Sequence, residues 1–245
     1  MRSFIVPWPD PSLGRELGRP FRILAVSDDE DRALDQDVNR ATIQPVDLVV
    51  GCGDLAPDYL AFVADALRSQ VAYVRGNHDR GAAWLTGARK NLPPPIEPAG
   101  AGPDRTGGLW LVGFGWPGVE RGDAQPNERS AWLQAIRAAC GRAGRQRPLV
   151  VLSHVPPAGY GDMPGSNYHR GFRGYRWFLR RARPALWLHG HVHPAAADAA
   201  VVDADGTPVV NVTGATLLDL DPSATEVRPG SLASRSVTPP AARST

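Results

Sequence analysis

Short apolar runs that stop abruptly in polar residues punctuate this chain. The segment Arg22–Ser27 is one, and it ends at Asp28-Asp29-Glu30-Asp31. Asp47–Val50 is a second, closed by Gly51-Cys52-Gly53-Asp54. Val71–Val74 is a third, delivering Arg75-Gly76-Asn77-His78-Asp79. Runs this short, apolar throughout and bounded by Gly and polar clusters, predict buried strands. Between them, residues 32–43 predict a helix. Pro57 opens another helix, whose Leu60, Phe62, Val63, Ala66 and Leu67 fall on one face. Strand–helix–strand alternation argues for a parallel sheet with helices on its faces.

The pattern continues with variations. Residues 91–107, rich in Pro and Gly, predict a long surface loop, and Gly108–Phe114 predicts a strand. Residues 128–140 fit a helix with Trp132, Leu133, Ile136 and Ala139 on one side. Pro148–Leu152 predicts a strand delivering Ser153-His154, and residues 156–171 a loop. Arg173–Ala182 fits a helix with Trp177 and Phe178 inward. The apolar run Ala185–Leu188 precedes His189-Gly190-His191-Val192-His193, and extended geometry would put His191 and His193 on one side. Ala199–Val202 and Val209–Val212 read as strands around a turn at Asp205-Gly206, and Thr216–Leu220 as one more. Residues 1–20 read as an irregular leader, 21–221 as one domain, and 222–245 as a disordered tail rich in Ser, Pro, Arg and Ala.

Composition changes this picture little. The chain has 245 residues, 42% hydrophobic and 21% charged, enough for a sizeable core. A net charge of +2, with no basic stripe or aromatic platform, makes nucleic acid an unexpected partner. No apolar run approaches the roughly 18 residues of a membrane span, and the first 20 residues lack the apolar segment of a signal peptide. Cys52 and Cys140 form no CxxC pair, so a disulfide framework is not indicated and a reducing cytoplasm is the expected setting. Nothing in the sequence sets the oligomeric state.

The chemistry collects at the strand ends. These offer Asp28 and Glu30, then Asp54, then Asn77 and His78, then His154, then His191 and His193. Parallel strands bring such ends to one edge, where open α/β sheets bind ligands. All 6 histidines, including His169 and His189, lie at strand ends or in the loops between them. Mixed carboxylate, amide and imidazole donors without thiolates suit catalytic Mn, Fe, Ni or Zn better than structural zinc. Two ions about 3.5–4 Å apart can clamp a phosphoryl group and activate a water for in-line attack.

The order Asp28-Asp29-Glu30, Gly53-Asp54, Gly76-Asn77-His78-Asp79, His154, Gly190-His191-Val192-His193 resembles the calcineurin-like metallophosphoesterase superfamily. Its pattern is D-x-H, GD, GNH-D/E, a lone H and GH-x-H. Ser27-Asp28-Asp29-Glu30 is similar to a bacterial branch of unassigned substrate. The resemblance implies an α/β fold of four layers, two mixed β-sheets flanked by helices (αββα). It implies two divalent ions, with Mn favoured. Asp28, Asp54 and His193 would hold one; Asp54 as bridge, with Asn77, His154 and His191, the other. His78 would assist the leaving group, and Asp79 would orient the His78 ring. Glu30 stands where the superfamily has a histidine. It would ligate through oxygen, bind a metal-held water, or leave the first site weak; the reading adopted is direct or water-mediated ligation. Asn77, His78, His169 and Arg170 are expected near substrate, with Arg80 and Arg173 as further phosphate grips. His189 is expected to point to the opposite face from Gly190, in a structural or supporting role. The implied activity is hydrolysis of a small phosphate mono- or diester. A nuclease, a phosphoprotein phosphatase or a metal-binding scaffold with reduced catalysis are the alternatives.

Overall fold

The computed structural model describes residues 1–15, 17–85, 92–102, 106, 108–118, 127–141, 147–193 and 200–231. It builds two sheets face to face. One takes strands β1 (Arg2–Pro7), β2 (Phe21–Ser27), β3 (Leu48–Gly51) and β4 (Gln70–Tyr73), with β10 (Gly214–Asp221) and β11 (Arg228–Pro229), in the order β11-β1-β10-β2-β3-β4. The other takes β5 (Trp110–Phe114), β6 (Leu149–Ser153), β7 (Leu186–His189), β8 (Val201–Ala204) and β9 (Thr207–Asn211), in the order β5-β6-β7-β9-β8. Strands β2, β3 and β4 run parallel, as do β5, β6, β7 and β9, while β10 and β8 are antiparallel to β2 and β9.

Every central strand is apolar on both faces because both are covered. In β2, Ile23 and Ala25 point into the core between the sheets, and Leu24 and Val26 point outward. In β6, Val150 and Leu152 face inward and Val151 outward; in β7, Leu186 and Leu188 face inward and Trp187 outward. Outside the first sheet, α2 (Pro57–Ala66) covers Leu24 and Val49 with Tyr59, Leu60 and Val63. Outside the second, α4 (Glu128–Gly141) and α5 (Arg173–Ala182) meet Phe114 and Trp187 through Ala131, Ala135, Tyr175 and Phe178. Helix, sheet, sheet, helix are the four expected layers. The short helices α1 (Asp37–Ile43) and α3 (Ala82–Leu85), with a 3-10 helix at Arg32–Asp35, complete the set among the described residues.

Several local expectations fail: Phe62 on α2 is exposed, and the predicted surface loop buries Leu92, Ile96 and Ala101. The leader is not irregular: Arg2–Pro7 is strand β1, paired in parallel with β10 from Arg2↔Thr216 to Pro7↔Asp221. Its partner lies some 200 residues away, so no local pattern announces it. Arg228–Pro229, within the predicted tail, pairs with β1 as β11; residues 232–245 lie outside the described residues. Helix α4 also turns a different face inward. Leu133 and Ile136 are exposed, and Ala131, Ala135 and Ala138 are buried. Small residues win because α5 comes too close for larger ones: a Cβ on Gly174 would stand 2.9 Å from the Trp132 nitrogen.

Candidate metal centre

The ends of β2, β3, β4, β6 and β7 reach one edge of the sandwich, where backbone bonds join their loops. The Asp28 amide donates to the Gly53 carbonyl at 3.1 Å, and the Gly190 amide to the His154 carbonyl at 3.1 Å. Across the two sheets, the His191 amide donates to Asp28 Oδ2 at 2.9 Å. Asp28, Asp54 and His191 all adopt left-handed backbone, with φ of 61°, 56° and 66°. Residues other than Gly avoid this region, and a cluster of such residues is characteristic of functional sites. The glycines beside them are steric necessities. A Cβ on Gly76 would lie 2.2 Å from Asp54 Oδ1, and one on Gly190 2.3 Å from Asp28 Oδ2.

Four donors converge. His154 Nε2 stands 2.9 Å from Asn77 Oδ1, 3.2 Å from Asp54 Oδ2 and 3.1 Å from His191 Nδ1. The far side of each ring fixes its tautomer. His154 Nδ1 lies 2.9 Å from the Cys52 carbonyl, and His191 Nε2 2.8 Å from the Tyr168 carbonyl. A carbonyl only accepts, so each of those nitrogens carries the proton. His154 Nε2 and His191 Nδ1 therefore present lone pairs to each other and to two oxygens. A second proton on His154 or a metal ion reconciles them. Backbone carbonyls behind the rings are how proteins orient histidine ligands. The spacing fits as well: donors about 2.1 Å from one ion and at right angles stand about 3.0 Å apart. Ligand atoms of Asp54, His154 and His191 lie within 4.8 Å of one another.

Without an ion, the electrostatics favour the proton on His154. Burial opposes charge on His154, but Asp54 outweighs it and holds the ring's pKa above its ordinary value. Burial likewise opposes charge on Asp54, yet its bond with His154, the His154 charge and the His78 amide lower its pKa. His191 is depressed to about 4, by burial and then by the neighbouring His154, and so stays a neutral ligand.

The other expected residues are placed less centrally. Asp28 Oδ2 is committed to the His191 amide, with Thr213 Oγ1 at 3.4 Å. Glu30 is exposed and outside the donor group. His193 lies outside the donor group that holds His191, and the extended geometry invoked for the pair ends at His189, where the positive φ of His191 turns the chain. The His193 side chain is 63% exposed, with Nδ1 3.6 Å from Asp29 Oδ2. His78 is exposed; its amide, not its ring, engages the site, donating to Asp54 Oδ1 at 2.7 Å. Asp79 does not reach the His78 ring. Its carboxylate takes the amides of Gly76 at 2.7 Å, Asp54 at 2.9 Å and Leu55 at 3.1 Å, which ties the β3 and β4 loops together. Arg170 and Arg173 are exposed. His189 is fully buried, with Nδ1 2.9 Å from the Gly190 carbonyl. The His169 ring lies 5.3 Å from that of His191.

Sequence reasoning passed over several contributors. The carbonyls of Cys52 and Tyr168 carry no residue-type signal, because any residue supplies a carbonyl. The Cys52 side chain lies in the core. Trp116, which follows β5, walls the site at 5.6 Å from the His191 ring and 6.3 Å from that of His154. Only its position after a strand end could have singled it out.

No helix of the described residues is long and apolar enough to cross a membrane. One solved structure aligns with a TM-score of 0.59 at 17% identity, covering 87% of this chain and 100% of the other. That of TT1561 from Thermus thermophilus aligns with a TM-score of 0.57 at 18% identity, covering 87% and 99%. A predicted phosphoesterase from Streptococcus pneumoniae aligns with a TM-score of 0.36 at 16% identity, covering 79% and 72%. No curated protein matches. The first two likenesses establish the fold, and the sequence itself matches the calcineurin-like phosphoesterase family over residues 21–195, nearly every element that reaches the shared edge; the chain belongs to that family.

Proposed function

We propose that this protein is a metal-dependent hydrolase of small phosphate mono- or diesters with a binuclear centre. The observation that carries this reading is the pair of ring nitrogens, His154 Nε2 and His191 Nδ1, 3.1 Å apart and flanked by Asp54 and Asn77. In this reading Asp54, Asn77, His154 and His191 hold one ion. Asp28, His193 and the same Asp54 hold a second, with Glu30 ligating it directly or through a water. Bound ions would polarise the phosphoryl oxygens and lower the pKa of a nucleophilic water. The chain's own groups do the rest. Asp79 fixes the Gly76 and Asp54 backbones, so the Asn77 amide and Asp54 carboxylate meet an incoming ester already in place. The exposed His78 ring, one residue from Asn77, protonates the departing oxygen. Manganese is the favoured metal because the donor set is mostly oxygen and imidazole, and the free Cys52 and Cys140 support a cytoplasmic location.

The test is metal-stripped protein given Mn, Fe, Ni or Zn singly, with a chromogenic phosphomonoester and phosphodiester side by side. Turnover of either ester that returns with metal and is lost in His154→Ala supports the reading. Protein that binds two equivalents of metal and turns over neither ester, nor a nucleic acid or phosphoprotein, overturns it in favour of a scaffold.

A further inference from the structure

The loop from Gly159 to Gly171 is ordered by its own side chains. Asp162 takes the Gly159 amide on Oδ1 and the Gly171 amide on Oδ2, both at 2.9 Å, which draws the loop's ends together. The Met163 amide donates to the His169 carbonyl at 3.0 Å. Within that frame, Ser166 Oγ accepts the amides of Tyr168 at 3.3 Å and His169 at 3.1 Å. Two lone pairs are thereby used, and the hydroxyl proton points to the neighbour left at 3.0 Å, His169 Nδ1. Nδ1 is then an acceptor, and the neutral ring carries its proton on Nε2.

That ring packs beside the ring of His191, a residue of the donor group. Its centroid is 5.3 Å from that of His191, and the carbonyl of the preceding residue, Tyr168, holds His191 Nε2 at 2.8 Å. Two adjacent residues thus do different things: Tyr168 orients a ligand through its backbone, and His169 brings a side-chain donor beside it. The ring is half-buried, and its Nε2–H has no hydrogen-bond partner among the described residues.

We propose that His169 Nε2–H is an additional donor of the site, contacting a phosphoryl oxygen of the ester held at Asp54, Asn77, His154 and His191. This rests on the phosphoesterase reading above. Phosphoryl transfer spreads negative charge over the equatorial oxygens, and a donor fixed beforehand meets that charge without reorganising. Ser166 and Asp162 are what fix it.

The experiment is calorimetric titration of the Mn-loaded protein with inorganic phosphate, in wild type, His169→Ala and His169→Gln, with metal content measured in each. Gln keeps an N–H near the position of Nε2. His169→Ala is expected to weaken phosphate about 10- to 100-fold, the worth of one hydrogen bond to a charged group. His169→Gln is expected to stay within about threefold of wild type, and metal content to be unchanged in both. Equal affinity in wild type and His169→Ala overturns the proposal, as does equal loss in both variants. Metal lost from His169→Ala makes His169 a prop for His191 and also overturns it. So does a wild type that binds no phosphate. A long-range proton–nitrogen NMR spectrum placing the His169 proton on Nδ1 removes the tautomer on which the proposal stands. The two readings fail separately. Ester turnover with phosphate binding unaltered in His169→Ala leaves the hydrolase and removes this donor. Weakened phosphate binding in a protein that turns over no ester does the reverse.

Discussion

Asp79→Asn separates two accounts of the GNHD loop. If Asp79 served the His78 ring, the substitution would lower turnover and leave the folded protein otherwise intact. The structure assigns the carboxylate to three backbone amides instead: Oδ2 accepts from Gly76 and Asp54, and Oδ1 from Leu55. The residue is 4% exposed, so water cannot stand in. An asparagine can turn its carbonyl oxygen toward Gly76 and Asp54, but its NH2 then meets the Leu55 amide, donor against donor. The orphaned amide costs about 1–3 kcal/mol, and the remaining bonds lose their charge assistance. Burial works the other way. It raises the Asp79 pKa, first through desolvation, so removing the charge recovers part of that cost. The net expectation is about 1–3 kcal/mol. With a urea m-value of about 2–3 kcal/mol/M, the unfolding midpoint of metal-free protein falls by roughly 0.3–1.5 M. Metal affinity falls with it, because Asp54 and the Gly76-Asn77 turn lose their anchor. The assay is urea unfolding followed by fluorescence, paired with a metal titration. An unchanged midpoint and metal affinity, with turnover alone reduced, would refute the reasoning and return Asp79 to the His78 ring.

Further expectations are as specific. Gly190→Ala places a Cβ 2.0 Å from Ser27 Oγ and 2.3 Å from Asp28 Oδ2; it should cost about 2–3 kcal/mol and weaken metal binding, and a variant as stable as wild type by thermal unfolding would show that the strand ends can part. Metal should bind in two steps, because the His154–His191 donors are assembled while Glu30 and His193 are exposed; Glu30→Ala should leave the tighter equivalent unchanged and weaken the looser one, and loss of the tighter equivalent in calorimetry would contradict this order. Glu30→His should hold or strengthen the looser equivalent. Asp219→Asn breaks the paired bonds from Arg22 to Asp219 at 2.7 and 2.9 Å, between residues opposite each other on β2 and β10; a destabilisation of about 1.5–3 kcal/mol is expected, and a change under about 0.5 kcal/mol would place that pair with ordinary surface ion pairs.

The legible part of this protein was what short apolar runs can announce. Each of Ile23–Val26, Leu48–Val50, Val150–Leu152 and Leu186–Leu188 is buried on both faces, so each reads as a continuous apolar stretch, and the polar residue after it falls at the shared edge. Asp54, Asn77, His154 and His191 were found that way. What stayed hidden is of two kinds. Long-range pairing hid β1, whose only local marks are Pro7 and a few apolar residues, and whose strand character depends on β10. Backbone chemistry hid the rest. The Cys52 and Tyr168 carbonyls that set the histidine tautomers could belong to any residue. The left-handed turn at His191 ends the alternation an extended chain would give. On α4, apolar size misled, because close approach to Gly174 selects alanine over Leu133 and Ile136.

Anomalous diffraction from crystals soaked in manganese addresses the central claim most directly. The account predicts a strong peak about 2.0–2.3 Å from Asp54, Asn77 Oδ1, His154 Nε2 and His191 Nδ1, with a weaker one toward Asp28. Stoichiometric manganese bound elsewhere, with His154 Nε2 and His191 Nδ1 still 3.1 Å apart around a shared proton, would contradict it.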